Sequence, residues 1–175
     1  LINELVKIDC KIYVVVKKNN KLIDKIKNKR IKIIQGNILD INFWKKNIKQ
    51  KDYLINLASN ESKFGKIINV NENFKTNVKS LVLALLCSKK LNKKIKIISF
   101  GSENQLGIAK KIPVSEDATD NPITVFGINK LIAEKYMNFF KKNFDIKITN
   151  LRLSNVYGPS IYSENFLKVS LNKMI

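Results

Sequence analysis

Short apolar runs and amphipathic stretches alternate along this chain. Five runs rich in Ile, Val and Leu, each bounded by polar turns, cover residues 11–16, 31–35, 53–57, 95–100 and 146–153. Near-continuous apolar runs of that length suit strands buried on both faces of a parallel sheet. Between them the apolar spacing lengthens to three and four. Residues 71–90 put Val78, Leu81, Val82, Leu85 and Leu86 on one stripe. Residues 124–143 do the same with Ile128, Leu131, Ile132, Tyr136, Phe139 and Phe140. Both patterns predict helices with one apolar face. Asn121-Pro122 marks the turn before the second of them. Shorter helices are expected over 22–27 and 41–48. Strands alternating with helices predict βαβ units and a parallel sheet of the α/β class.

A length of 175 residues suffices for one domain with a real core. Apolar residues make up 45% and charged residues 27%, the balance of a globular protein. The net charge of +19 brings nucleic acid into view. Yet among 33 basic residues only Arg30 and Arg152 are arginines. Base readout and planar phosphate recognition favour arginine. The lysines read as a solvated surface, and no specific nucleic-acid partner is expected. No run reaches the ~18–20 apolar residues of a membrane span, and residues 1–6 lack the features of a signal peptide. A cytoplasmic location with no membrane partner is the expectation. The chain has no His, and Cys10 and Cys87 lie far apart. His-based catalysis is therefore excluded, and no metal site is expected. Helical patterns run up to Leu1 and Ile175, so a piece cut at both ends is expected.

The chemistry concentrates between residues 97 and 159. Ser102 follows the fourth strand. Phe126 and Lys130, four apart on a helix, share a face. The order of elements places all three near the carboxyl ends of parallel strands, where ligands collect in open α/β sheets. A serine, a tyrosine and a lysine so arranged would move protons, because the ammonium lowers a phenol from its usual pKa of ~10. Here the ring is a hydrocarbon.

Six motifs follow one another with natural spacing: Gly-Asn-Ile-Leu-Asp (36–40), Leu-Ala-Ser (57–59), Asn77, the segment 102–107, Phe-Gly-Ile-Asn-Lys (126–130) and Leu-Arg-Leu-Ser-Asn-Val-Tyr-Gly-Pro (151–159). In this order they resemble the NAD-dependent epimerase/dehydratase family, the extended short-chain dehydrogenases/reductases, many of which act on nucleotide sugars. The resemblance implies a Rossmann-like, doubly wound parallel sheet. It implies a cofactor, NAD or NADP, and a nucleotide-sugar substrate. Asn37 and Ile38 would flank the adenine, and Leu57, Ala58 and Ser59 would line the pyrophosphate and ribose channel. Asn77 would stand on the helix beside the active site. Ser102 matches the catalytic Ser/Thr. Lys130 matches the catalytic lysine, which also holds the nicotinamide ribose. Ser154, Asn155 and Val156 would lie near the nicotinamide ring. Lys17 and Lys18, after the second strand of such a fold, suit the 2′-phosphate of NADP slightly better than the ribose of NAD. A homodimer through the helices at 71–90 and 124–143 is plausible by the same resemblance.

Three departures shape the functional expectation. Phe126 stands where the family has its catalytic tyrosine. The six glycines, at 36, 65, 101, 107, 127 and 158, include no glycine-rich phosphate turn. That turn and the first strand are expected to be absent from the chain. In the strand order 3-2-1-4-5-6 the loss opens a slot between the strands at 11–16 and 53–57. Residues 1–160 would form the partial dinucleotide-binding domain and 161–175 the start of a substrate-binding region whose remainder is absent. The expected activity is an NAD(P)-dependent epimerase, dehydratase or reductase. A noncatalytic dinucleotide-binding or regulatory descendant, or an inactive fragment, is the alternative.

Overall fold

The computed structural model describes residues 1–17, 28–60, 69–109 and 111–156. The helix expected at 22–27, Lys18, and the region from 157 onwards lie outside the described residues. A one-turn helix α1 (Ile2–Leu5) leads into β1 (Ile12–Val16). Then follow β2 (Ile31–Gln35), α2 (Ile41–Asn47) and β3 (Tyr53–Asn56). Next come α3 (Val70–Phe74), a π-helical turn (Lys75–Lys79) and α4 (Ser80–Leu91). Strand β4 (Lys96–Ser102) ends in a 3₁₀ turn (Glu103–Gln105). The long helix α5 (Val125–Phe144) and β5 (Lys147–Leu153) complete the described part. All five expected strands are present within two residues of their predicted limits.

Every strand pairing among the described residues is parallel. β1 pairs with β2 from Ile12↔Ile31 to Val16↔Gln35, and β3, β4 and β5 form a second sheet in that order. The expected single sheet is therefore two. Strands bond only to neighbours ~4.8 Å away, and among the described residues no ladder joins β1 to β3. The break falls where the slot was expected. Near it, the Lys51 ammonium lies 4.2 Å from the centre of the Tyr13 ring.

Helices α2, α4 and α5 share one core with the second sheet. Trp44 and Ile48, Leu81, Ala84 and Leu85, and Ala133, Met137 and Phe140 meet Ile97 and Ile148, which face each other in the ladder. Each buried Leu, Ile, Met or Phe among them contributes roughly 1.5–3 kcal/mol. Asp40 caps α2 by accepting from the Asn42 N–H, and Thr124 caps α5 by accepting from the Gly127 N–H.

Two helix faces differ from expectation. The helix predicted over 71–90 contains the π-helical turn, and its buried line is Val78, Leu81, Leu85 and Ser88, leaving Leu86 exposed. On α5 the buried line is Asn129, Ala133, Met137 and Phe140. Ile128, Tyr136 and Phe139, assigned to the core by pattern, are 43%, 43% and 53% exposed. Apolar residues occupy both sides of this helix, so period alone cannot choose the inward one. A polar residue, Asn129, marks the true inner face because it has a buried partner.

Candidate active site

Parallel pairing brings the carboxyl ends of β3, β4 and β5 to one edge. Ser102 is the last residue of β4 rather than the residue beyond it, and it also caps the 3₁₀ turn. Its hydroxyl accepts from the Asn104 N–H (3.2 Å) and from Asn104 Nδ2 (3.1 Å). Its own N–H donates to Gln105 Oε1 (2.9 Å). Ser102 is thus buried and held on both its backbone and its side chain.

The first turn of α5 lies against this corner. Gly127 permits the approach, because a Cβ there would run into the Asn104 carbonyl. From the same helix Lys130 donates to the Phe100 carbonyl of β4 at 2.7 Å. The same ammonium stands 5.4 Å from the centre of the Phe126 ring, inside cation–π range. The structure therefore gathers Ser102, Phe126 and Lys130 around the end of β4. A phenol at 126 would sit in the field of that ammonium. The benzyl group present has no proton to exchange.

The remaining positions fall in three groups. Asn77 is buried in the π-helical turn and accepts from the Ser59 hydroxyl (3.2 Å), joining it to the loop after β3. In that loop Leu57 and Ser59 are exposed, and the Ala58 N–H donates to Asn56 Oδ1. Asn37 and Ile38 follow β2. The Asn37 side chain accepts from the Leu39 N–H, while the Ile38 carbonyl accepts from Trp44 Nε1 (2.8 Å). Lys17 is exposed at the end of β1, and its charge helps to hold the Glu72 carboxyl below its ordinary range, after the larger effect of the Lys75 ion pair. Ser154, Asn155 and Val156 are exposed beyond β5.

One cluster at this corner joins motif residues Gln105 and Arg152 to three residues outside the motifs, Asp120, Glu134 and Asn150. Glu134 Oε2 accepts from Gln105 Nε2 (2.9 Å), Asn150 Nδ2 (2.7 Å) and Arg152 Nε (3.0 Å), and Oε1 accepts from Arg152 Nη2 (2.7 Å). Arg152 also forms a two-toothed pair with Asp120 (2.7 and 3.0 Å). The hydrogen bond from Arg152 holds the Glu134 carboxyl below the usual carboxylate range, against the opposing effect of burial. The two carboxylates push the guanidinium the other way, to a higher pKa. Gln105, fully buried, carries this charge cluster to the Ser102 backbone. The sequence signals were Glu134, the one acidic residue on α5, and Arg152, one of two arginines in the chain.

A parallel α/β domain with a hydroxyl, a ring and an amine at one strand end belongs to the class of Rossmann-like proteins. Comparison narrows this. The chain belongs to the NAD dependent epimerase/dehydratase family, whose model matches residues 1–175. A UDP-glucose 4-epimerase of Lactobacillus helveticus is 37% identical over 87 residues, 50% of this chain and 26% of that protein. The crystal structure of a UDP-glucose 4-epimerase from Thermotoga maritima, with UDP-glucose, matches with a TM-score of 0.82 at 25% identity, over 95% of this chain and 55% of that one. The dTDP-glucose 4,6-dehydratase DesIV of Streptomyces venezuelae, with NAD bound, shares the fold at 14% identity, with a TM-score of 0.83 over 99% of this chain and 57% of that one. The chain spans about half the length of these solved structures. Among the described residues no helix is long and apolar enough to cross a membrane.

Proposed function

We propose that this chain forms part of an NAD(P)-dependent epimerase, dehydratase or reductase acting on a nucleotide-linked sugar. The observation that carries the reading is the Lys130 side chain. It starts on α5 and ends on the Phe100 carbonyl of β4, so the helix is clamped to the strand two residues before Ser102. Family membership and the UDP-glucose seen with the Thermotoga relative support the substrate class.

The residues fit two ends of a dinucleotide. Asn37 and Ile38 would flank adenine; Leu57, Ala58 and Ser59 would wall the channel, with Asn77 holding Ser59 in place. Lys130 would hold the nicotinamide ribose, with Ser154, Asn155 and Val156 near the ring. Lys17, exposed at the end of β1, favours a 2′-phosphate and hence NADP. No glycine-rich turn for the phosphates occurs among the six glycines of the chain. Bound NAD(P) supplies a hydride acceptor. Ser102 would hydrogen-bond the reacting sugar oxygen. A proton acceptor for that oxygen is what Phe126 cannot provide, and losing a general base typically costs ~10²–10⁴ in rate.

That hydrocarbon favours a second reading, a dinucleotide-binding protein without turnover. Phe126→Tyr, made in the chain together with the rest of its protein and assayed with NAD(P) and UDP-glucose, separates the two. A rise of about 10² or more in turnover supports the catalytic lineage. Cofactor binding with turnover still negligible supports the noncatalytic reading. Absence of both rejects each. The exposed Ile128, Tyr136 and Phe139 on α5, with Phe74 and Leu86 on α3 and α4, support a homodimer through these helices.

A further inference from the structure

Three buried asparagines connect the loop after β3 to the helix that carries Phe126 and Lys130. Asn73, Asn77 and Asn129 are each at most 4% exposed. Asn73 Oδ1 accepts from Asn129 Nδ2 (2.8 Å) and from Asn77 Nδ2 (2.9 Å). Asn73 Nδ2 and Asn77 Nδ2 both donate to the Asn60 carbonyl (2.8 Å each). Asn77 Oδ1 accepts from the Asn60 N–H (3.4 Å) and from the Ser59 hydroxyl. Both backbone groups of Asn60 therefore end on these side chains. The Asn129 contact is their link to α5.

The chemistry of this cluster is demanding. A carboxamide buried in an apolar core is costly unless its groups are paired. Each asparagine here uses its amide nitrogen on another member or on Asn60. The π-helical turn at Lys75–Lys79 contains Asn77, and such turns are frequent at functional sites. Apolar residues would fill the same space without these demands. What they could not do is define one rotation of α5 against one path of the loop.

We propose that Asn129 and Asn73 are positioning residues: their hydrogen bond sets α5, and with it Lys130, in register with the loop 57–60. The functional part of this rests on the reading of that loop as a cofactor wall. The coupling itself does not, and it can be measured alone. Moving Asn129 should be felt at Asn60, because the signal passes through Asn73, which Asn129 donates to and which in turn donates to the Asn60 carbonyl.

Amide hydrogen exchange of the 175-residue chain tests this. Asn129→Ser is the first variant. Its hydroxyl can return to its own helix, as those of Ser80 and Ser88 do onto Thr76 and Ala84. Asn129→Ala is the second, in case serine finds a substitute partner. The expected result is exchange at the Asn60 N–H about tenfold faster, with core amides such as Leu85 changed far less. Asn73→Ala should give the same acceleration, and the Asn73/Asn129 double variant no more than Asn73→Ala alone. A uniform change at Asn60 and Leu85, or strictly multiplicative effects, would overturn the coupling. Titration of the protein with NADH and with NADPH then tests the functional part separately. A wild-type protein that ignores both NADH and NADPH sinks the cofactor reading and leaves the exchange result standing. Equal NADH affinity in wild type and Asn129→Ser, with Asn60 exchange accelerated, rejects the positioning role.

Discussion

Replacing Glu134 by glutamine attacks the charge cluster behind Ser102 without changing its shape. The carboxylate receives four hydrogen bonds at 2.7–3.0 Å, two from Arg152 and one each from Gln105 and Asn150. Bonds to a charged group contribute roughly 1.5–3 kcal/mol each when buried. The Arg152 and Glu134 side chains are 29% and 15% exposed, so solvent screening lowers the ion-pair share to about 1–2 kcal/mol. Glutamine keeps one acceptor oxygen and points an NH₂ at donors on the other side. Its oxygen can keep the Oε2 place and that atom's three donors, and the NH₂ then meets Arg152 Nη2, donor against donor, at about 1–3 kcal/mol. Asp120 still neutralises Arg152, which keeps the loss below that of stranding a buried charge. The sum is about 3 kcal/mol. Urea unfolding followed by circular dichroism should show a lower midpoint at unchanged slope. In a domain of this size the loss corresponds to roughly 6–12 °C in Tm. A change under ~0.5 kcal/mol would mean that the cluster is a surface ion pair of the ordinary weak kind.

Three further outcomes follow from the same geometry. The Glu134 carboxyl titrates below its ordinary value of 4.5 in the folded chain, so its stabilising contribution is complete above that value and is lost as pH falls through the folded pKa. Stability measured from pH 6 down to pH 3 should therefore drop more steeply in wild type than in Glu134→Gln, and parallel curves would refute the assignment. Gly127→Ala puts a methyl group against the Asn104 carbonyl; helix propensity alone predicts stabilisation, whereas overpacking predicts a loss of ~1–3 kcal/mol by thermal melt. Phe139→Glu puts a charge on the exposed apolar side of α5 and should yield a monomer in sedimentation experiments if the helices form a dimer interface, at the cost of its edge-on contacts with Phe140 and Phe144; a wild-type chain that is already monomeric would remove that proposal.

The strands were legible because parallel-sheet strands bury both faces, and Ile- and Val-rich runs between polar turns leave few alternatives. The site was legible as a set of positions for a different reason. Strand ends in a parallel sheet share one edge, so order along the chain nearly dictates that Ser102, Phe126 and Lys130 approach one another. The inward face of α5 was not legible. With apolar residues on two sides, burial of Met137 over Tyr136, or of Phe140 over Phe139, depends on which partners the sheet and α4 present.

The apolar pattern, read from the residues alone, determined the α/β class and the strand positions, since these follow from local periodicity, and the ordered motifs carried the resemblance to the family that the match over residues 1–175 shows. Tertiary structure decided how the polar side chains are spent. Glu134 becomes a hub only because Gln105, Asn150 and Arg152 arrive from two other elements. Asn129 belongs to the core only because Asn73, 56 residues away, offers it an oxygen. Hydrogen bonds are short-ranged and directional, so which distant groups meet is settled by packing, not by sequence spacing.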